Sequence, residues 1–402
     1  MRVAWVHDWL TGMRGGERCL EAFLCIYPEA DIFTLVHVPG KTSPQIDQRV
    51  KVTSFLNKVP RIEKLYKAFL PLYPLAIRSF DFTGYDLVIS LSHAAAKNVY
   101  VPPGIPHVCY CFTPMRYVWD QASAYLRGVK YVCALPLISL LRRWDAQGAK
   151  RVSHFIGIST FISARIRRFY GRSSTVIAPP VRMSDEVSFE LTPEEREFFE
   201  RHSESFFLCA GALVPYKKID VAVKAFNQLG HPLWVVGGGP EQPALEAIAG
   251  PNVRILGRVS EAFLWECYRR CRALVFPGIE DFGIVPVECL SAGRPVIGID
   301  AGGLRESVVG FRPWQGSNLV PAEHTGIFVP KDKCGDVTAL VEAVRAFGDV
   351  EQRFDPATLK SRARQFSYAN FFKAWTSFLE EVGLRKAPRQ SNVERVAASY
   401  EV

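Results

Sequence analysis

The chain has 402 residues, 48% hydrophobic and 22% charged, with a formal net charge of +9. That length suits two domains with separate cores, and that composition is globular, which excludes a disordered or fibrous chain. The ten cysteines include no Cys-x2-Cys pair, so buried thiols are expected rather than disulfides or zinc sites.

The opening residues 1–8 enter a strand at once and lack the pattern of a signal peptide. The expected strand at 3–6 and helix at 16–27 begin an alternation. It continues through strands at 31–36, 50–53, 85–90, 107–111 and 155–159, a basic helix at 163–170 and a short strand at 174–178. Alternation of this kind predicts a parallel doubly wound sheet. Pro179-Pro180 and the acidic stretch after it mark a boundary within 180–205. The pattern restarts with strands at 206–211, 233–237, 253–256, 273–277, 295–299 and 325–329. Helices are expected between them at 219–229, 240–248, 260–271 and 337–347. A last helix at 368–382 carries Phe371, Phe372, Trp375 and Phe378. The domains read as 1–185 and 205–365, with a helix at 366–383 and a disordered tail at 384–402.

Two basic stretches stand out. Residues 127–172 hold ten cations, among them Arg127, Lys130, Arg142 and Arg143, against the single acid Asp145. Lys58, Arg61, Lys64, Lys67 and Arg78 face only Glu63 between residues 55 and 80. They flank the apolar segments 69–75 and 132–141, which suits an anionic membrane surface better than a nucleic-acid groove. The second apolar segment contains Pro136 and is far shorter than the roughly 20 residues that span a bilayer. The expectation is a cytoplasmic protein, peripheral on the inner face of the membrane, with no nucleic-acid partner.

The densest chemistry lies in Glu280-Asp281-Phe282-Gly283-Ile284-Val285-Pro286-Val287-Glu288. A strand ends just before it and a helix contains its second half. Ligands of open α/β sheets bind at the carboxyl edge of the strands. Helix amides near Gly283, Ile284 and Val285 suit an anion there. The flanking carboxylates Glu280 and Glu288 suit sugar and ribose hydroxyls. The pattern points to a nucleotide sugar.

In this order, the E-x7-E segment and the stretches 214–220 (VPYKKID), 235–240 (VVGGGP), 255–260 (ILGRVS) and 301–306 (AGGLRE) resemble the retaining glycosyltransferases of family 4. So do Gly15-Gly16-Glu17 and Thr113-Pro114-Met115-Arg116-Tyr117 in the first half. The first half is most similar to mannosyltransferases of bacterial surface-polysaccharide assembly. The resemblance implies the GT-B fold: two Rossmann-like doubly wound parallel-sheet domains facing a cleft, the last helix crossing back to the first. It implies a donor site in the second domain, with Glu280 on the donor sugar and Lys217 on the diphosphate. Gly16, Lys218, Arg258, Val259, Phe282, Gly283, Ile284, Val285 and Glu288 complete the donor contacts. His93 joins the catalytic group from the first domain, and Arg116 and Asp120 contact the acceptor. No metal or other cofactor is implied. Two departures from the family pattern are Ala212, where an arginine is usual, and Phe112, where relatives often have histidine.

The expected activity is transfer of a hexose, mannose from GDP-mannose being favoured, with retention, to a lipid-linked or saccharide acceptor. The rivals are a nucleotide-sugar epimerase or hydrolase of the same fold, and a non-catalytic sugar-nucleotide-binding subunit.

Overall fold

The computed structural model of the chain describes residues 1–120, 129–315 and 322–384. Arg127 and the tail from 385 onward lie outside the described residues, as does the side chain of Lys130. The chain forms two compact units. Unit 1 comprises Met1–Pro180 together with the segment from Phe371, and unit 2 comprises Val181–Asn370.

Unit 1 is built on strands β1 (Val3–Leu10), β2 (Asp31–His37), β3 (Val50–Thr53), β4 (Leu87–Ser92), β5 (His107–Cys111), β6 (His154–Gly157) and β7 (Thr175–Val176), in the order β3-β2-β1-β4-β5-β6-β7. Its main helices are α1 (Gly15–Ile26), α2 (Val129–Ala149) and α3 (Thr160–Tyr170). Every strand pair is parallel. The reason is visible in β1, β4 and β5, which are buried at every position. Strands covered on both faces read as continuous apolar runs joined by helical crossovers. The alternation of the sequence thus yields the expected doubly wound sheet.

Three features of unit 1 depart from the sequence reading. β1 runs four residues past the expected end, so that His7 and Asp8 lie fully buried inside it. The apolar segment 132–141 belongs to the 21-residue helix α2, which accommodates Pro136. Asp145, the lone acid of the basic stretch, is a buried hub on that helix. It receives Nζ of the buried Lys97 at 2.6 Å, Trp119 Nε1 at 2.8 Å and the Tyr170 hydroxyl at 2.8 Å. A buried ion pair with every lone pair satisfied in this way ties together the loop after β4, α2 and α3.

Unit 2 begins at Val181, so that the stretch 181–204 packs with it. Arg182 pairs with Glu261 at 2.9 Å, and the helix α4 (Pro193–Arg201) is capped by Thr192. Its sheet contains β8 (Phe207–Ala210), β9 (Leu233–Val236), β10 (Val253–Gly257), β11 (Leu274–Phe276), β12 (Val296–Ile299), β13 (Gly310–Phe311) and β14 (Gly326–Val329), in the order β10-β9-β8-β11-β12-β14-β13. These pairs are parallel as well. The helices that matter for the site are α5 (Ile219–Leu229), α6 (Glu261–Arg270) and α7 (Ile284–Ser291). Two further helices of the unit are α8 (Val337–Val350) and α9 (Pro356–Arg364).

The last helix, α10 (Tyr368–Glu381), leaves unit 2 and joins unit 1 from Phe371 onward. Its aromatic face explains the docking. The rings of Phe371 and Trp375 lie 5.0 and 4.6 Å from Phe23, and Trp375 Nε1 reaches the Tyr27 hydroxyl at 3.4 Å. Such edge-to-face aromatic packing adds about 0.5–1.5 kcal/mol per pair beyond area burial.

Each sheet reverses its winding once. The reversal falls between β1 and β4 in unit 1, and between β8 and β11 in unit 2. Loops leaving those strands splay apart, and the crevice they leave at the carboxyl edge is where such sheets bind ligands.

Candidate functional site

At the reversal point of unit 2, two loops converge. One follows β8 and carries Ala212, Lys217 and Lys218; the other follows β11 and carries Glu280. Gly278 lets them touch, since a methyl group there would come within 2.9 Å of the Lys217 backbone. Lys217 Nζ then meets Glu280 Oε1 at 2.5 Å, with the two side chains 16% and 15% exposed. The ammonium also faces the ring of Phe276 at 5.5 Å. A third loop closes the far side. Gly302 and Gly303 press against the backbone of Glu280 and Phe282, and the Gly303 N–H donates to the Glu280 carbonyl at 2.8 Å. The E-x7-E spacing is therefore held by three strand ends at once.

Gly283 caps α7 with φ 93° and no side-chain capping bond. The N–H groups of Ile284 and Val285 open the helix, and Pro286 has none to offer. Phe282, expected among the donor contacts, is buried against Phe366 at 5.4 Å, which anchors the loop from below. Glu288 is buried on α7, and its Oε2 accepts the Tyr268 hydroxyl of α6 at 2.9 Å. Tyr268 was not legible as a site residue; only its place on the inner face of α6 reveals it. Lys218 is exposed and left-handed (φ 57°) at the start of α5. Arg258 is exposed and lies over the backbone of Gly238, with Val259 half-buried beside it. Ala212 is exposed, and no side-chain charge stands at that position.

At the reversal point of unit 1 the groups are different. Asp8 lies inside the buried β1 and receives four backbone N–H groups, from His93, Ala94, Ala95 and Ala96, at 2.5–2.9 Å. His93 follows β4 and sets Nδ1 3.1 Å from the same carboxylate. Its ring packs edge-on against Trp9 at 4.4 Å. Burial, with the positive charges of Arg116, Arg14 and Lys67, lowers the His93 pKa to about 3. Burial and the neighbouring His93 do the same to His7, also about 3. Gly16 stands on the first turn of α1, where a methyl group would lie 3.5 Å from His7 Nε2 and 3.5 Å from the ring of Phe112. Glu17, next to it, is buried. Its pKa is pushed up to about 7 by that burial, although it accepts the Arg14 N–H at 3.1 Å.

The expected residues thus fall into two groups. Lys217, Lys218, Glu280, Phe282–Val285 and Glu288 gather in unit 2, while Gly16, His93 and Arg116 gather in unit 1. Asp120 stands apart from His93 in its bonding: it pairs with Arg165, which also donates to Thr113 Oγ1 at 2.8 Å. His7 and Asp8 escaped the sequence reading. An acid and a histidine inside a strand-like apolar run were the available signal.

Among the described residues no helix is long and apolar enough to cross a membrane. Unit 1 exposes Leu65, Leu72 and Leu75 on one basic stretch, and Leu135, Leu137 and Leu140 on α2. Arg142, expected to serve a surface, is instead tied down. Its Nε donates to the Val118 carbonyl at 2.6 Å and its guanidinium lies 5.5 Å from the Trp119 ring.

Comparison with known proteins agrees with this architecture. Residues 204–347 match the family described as Glycosyl transferases group 1. O-antigen chain mannosyltransferase C of Escherichia coli is 27% identical over 169 residues, 40% of this chain and 42% of that protein. Lipopolysaccharide core biosynthesis mannosyltransferase LpsB of Rhizobium meliloti is 29% identical over 190 residues, 44% of this chain and 50% of that protein. The chain therefore spans half or less of the curated relatives it matches. Among solved structures, Anabaena Alr3699/HepE in complex with UDP-glucose aligns with a TM-score of 0.65 at 17% identity, covering 95% of this chain and 100% of that one. The shared fold is GT-B.

Proposed function

We propose, for a chain whose residues 204–347 form a Glycosyl transferases group 1 domain, that it transfers a hexose from a nucleotide sugar with retention of configuration. On this reading the chain is a glycosyltransferase, as are the relatives it matches in part, which are named for O-antigen chain and lipopolysaccharide core biosynthesis. The finer reading is ours: mannose, from GDP-mannose, to a lipid-linked or saccharide acceptor.

The observation that carries it is the 2.5 Å pair of Lys217 and Glu280 at the reversal point of the unit 2 sheet, beside the uncapped start of α7. A nucleotide sugar satisfies both halves. Its diphosphate takes the ammonium and the amides of Ile284 and Val285. Its sugar hydroxyls donate to the Glu280 carboxylate. Glu288, steadied by Tyr268, takes the ribose, and Arg258 and Val259 border the base. When the glycosidic bond breaks, negative charge grows on the leaving diphosphate. Lys217 and the amides stabilise that charge more in the transition state than in the ground state, which is what lowers the barrier. Lys218 adds a second cation where Ala212 leaves the usual one out. In retaining transfer the acceptor enters on the face from which the diphosphate leaves, and a diphosphate oxygen takes its proton. Unit 1 supplies the acceptor side, with His93 and Arg116 as its polar groups.

The same unit brings the protein to an anionic membrane surface. Exposed Leu75 and Leu140 insert beside exposed lysines such as Lys64 and Lys67, each cation contributing about 1 kcal/mol near the surface.

The test is product analysis with a panel of nucleotide sugars, first alone and then with lipid-linked and saccharide acceptors. Acceptor-dependent glycoside formation with retained configuration is expected. Release or conversion of the sugar without acceptor marks the hydrolase or epimerase. Binding without any product marks a non-catalytic subunit. Glu280→Gln should abolish transfer with the fold intact.

A further inference from the structure

A second cleft opens at the carboxyl edge of the unit 2 sheet, over β14 and β13, with β12 standing between them and β11, the strand that leads to Glu280. Its volume is about 480 Å³, which falls among clefts that hold small ligands. The local sequence explains why it is open. Ala339 and Ala343, one turn apart on α8, line one wall with methyl groups only. The buried ring of Phe328, from β14, lines another. That ring lies across Gly310 of β13, where a methyl group would come within 2.2 Å of it, so only glycine admits it. Past β13, the short turn Pro313–Gln315 sets Trp314 on the cleft with 44% of it exposed. The polar lining is Lys333, Asp336, Thr338 and Glu342.

We propose that this cleft is an accessory subsite for a neutral sugar unit of a saccharide acceptor. Trp314 is the platform for the sugar ring, and Glu342 and Asp336 accept from its hydroxyls. The inference rests on the reading of the chain as a transferase with a saccharide acceptor. It adds to that reading a place for a unit remote from the reacting hydroxyl.

The chemistry of the lining selects a sugar over a phosphate. An exposed indole beside an apolar floor suits the C–H face of a pyranose, because it offers wide apolar contact on a rigid ring. The charged groups are two carboxylates against one ammonium, a balance that repels an anion. The start of α8 offers an anion little, since the Thr338 and Ala339 N–H groups already donate to Asp336 Oδ1 at 2.9 and 3.3 Å. Arg312, whose guanidinium lies 5.0 Å from the Phe328 ring, is held by Asp300 at 2.8 and 3.1 Å. Glu342, by contrast, has no hydrogen bond or ion pair among the described residues. Asp336 Oδ2 lies 3.9 Å from Lys333 Nζ, too far for a hydrogen bond. Both carboxylates can therefore accept hydroxyls in charge-assisted bonds. The place of the cleft matters as well. Cys334 Sγ, in the loop between Lys333 and Asp336, lies 3.9 Å from the Pro277 carbonyl, just before Gly278 and Glu280. A saccharide seated in the cleft is held next to the loop that carries the donor-site carboxylate.

The experiment is ¹⁹F NMR of the full-length protein labelled with fluorotryptophan, its Trp314 resonance assigned with Trp314→Phe. The methyl glycosides of mannose, glucose, galactose and rhamnose are titrated together with mannobiose, and inorganic phosphate is the anionic control. At least one sugar should shift the Trp314 resonance saturably, and phosphate should not. Glu342→Ala should weaken that binding about fivefold to tenfold, and Ala339→Leu, which fills the cleft, should abolish it. Lys217→Ala, which disables the donor site, should leave it intact. Transfer to an oligosaccharide should fall about tenfold in kcat/KM in Trp314→Ala, and transfer to the matching monosaccharide should fall less. No response of Trp314 to any sugar overturns the subsite. So does a response to phosphate, loss of the response in Lys217→Ala, or an equal fall for both acceptors. Failure of nucleotide sugars to bind or to give product would sink the transferase reading instead, and the Trp314 titration does not depend on it.

Discussion

The two sheets have the same winding, and their reversal points have opposite chemistry. In unit 2 the crevice is charged: Lys217 and Glu280 face one another beside a helix start. In unit 1 the reversal point holds His7 and His93, both lowered to about 3 chiefly by burial, and the Asp8 carboxylate there is spent on the backbone. Each reversal point is followed by a lysine. Lys217 stays partly exposed, whereas Lys97 turns inward to Asp145 and is 1% exposed. Topology thus locates a crevice, and the local choice of buried partners decides whether its charges serve a ligand or the fold.

Exchanging the two lysines tests that contrast most severely. Lys97→Met leaves Asp145 buried without its cation, and should destabilise unit 1 by about 3–5 kcal/mol. Lys217→Met should leave stability nearly unchanged. Urea unfolding of the two variants reads this directly, and comparable losses would erase the distinction.

Activity should show the mirror image. Lys217→Ala removes the proposed contact to a leaving diphosphate, and losing such a contact costs about 2.7–4 kcal/mol in comparable electrostatic sites. A 100- to 1,000-fold fall in kcat is the corresponding expectation, with binding of nucleoside diphosphate weakened more than that of nucleoside. Equal weakening of the two ligands would move the role away from the diphosphate.

Acid should distinguish the units through the buried histidines. His7, His93 and His107 all lie in unit 1 and are held to about 3, mainly by burial, against an ordinary value of 6.5. The unfolded chain takes up protons near pH 6.5 that the folded chain refuses until about pH 3. Stability is therefore full above 6.5 and falls as pH drops through that window, by up to about 1.4 kcal/mol per pH unit for each histidine. Glu17, raised to about 7, binds its proton earlier in the folded state and offsets part of the loss between pH 7 and 4.5; Asp8, also raised, acts in the same sense. His107→Gln isolates one histidine away from the crevice, where Nε2 meets Ser90 Oγ at 2.9 Å. Its unfolding free energy should vary less steeply between pH 6.5 and 4.5 than that of the wild type. An unchanged slope would mean that His107 titrates normally in the fold.

The smallest effect belongs to Tyr268. Its phenolic hydroxyl donates to Glu288 at 2.9 Å, so Tyr268→Phe should weaken donor binding by about 0.5–1.5 kcal/mol and spare the chemical step. Donor KM against kcat checks it, and a drop in kcat alone would argue against a ribose role for Glu288.

Much of this was legible in the sequence because it is local. Period and run length gave alternating strands and helices. The E-x7-E segment spans a strand end, a turn and a helix start within nine residues, so its carboxylates and amides are neighbours by chain geometry alone. The aromatic face of α10 announced a docking helix. What the sequence could not decide were partnerships across long separations. Asp8 went unnoticed because its four amide donors arrive 85–88 residues later. Arg142 read as a surface cation until the Val118 carbonyl, 24 residues earlier, proved to hold it. Lys217 could be named from its motif, but its meeting with Glu280, 63 positions away, required Gly278 to bring two loops together. Backbone periodicity is set by neighbours along the chain. The charge state, tautomer and exposure of a side chain are set by whatever tertiary packing places beside it, through desolvation and hydrogen bonding that no local pattern encodes.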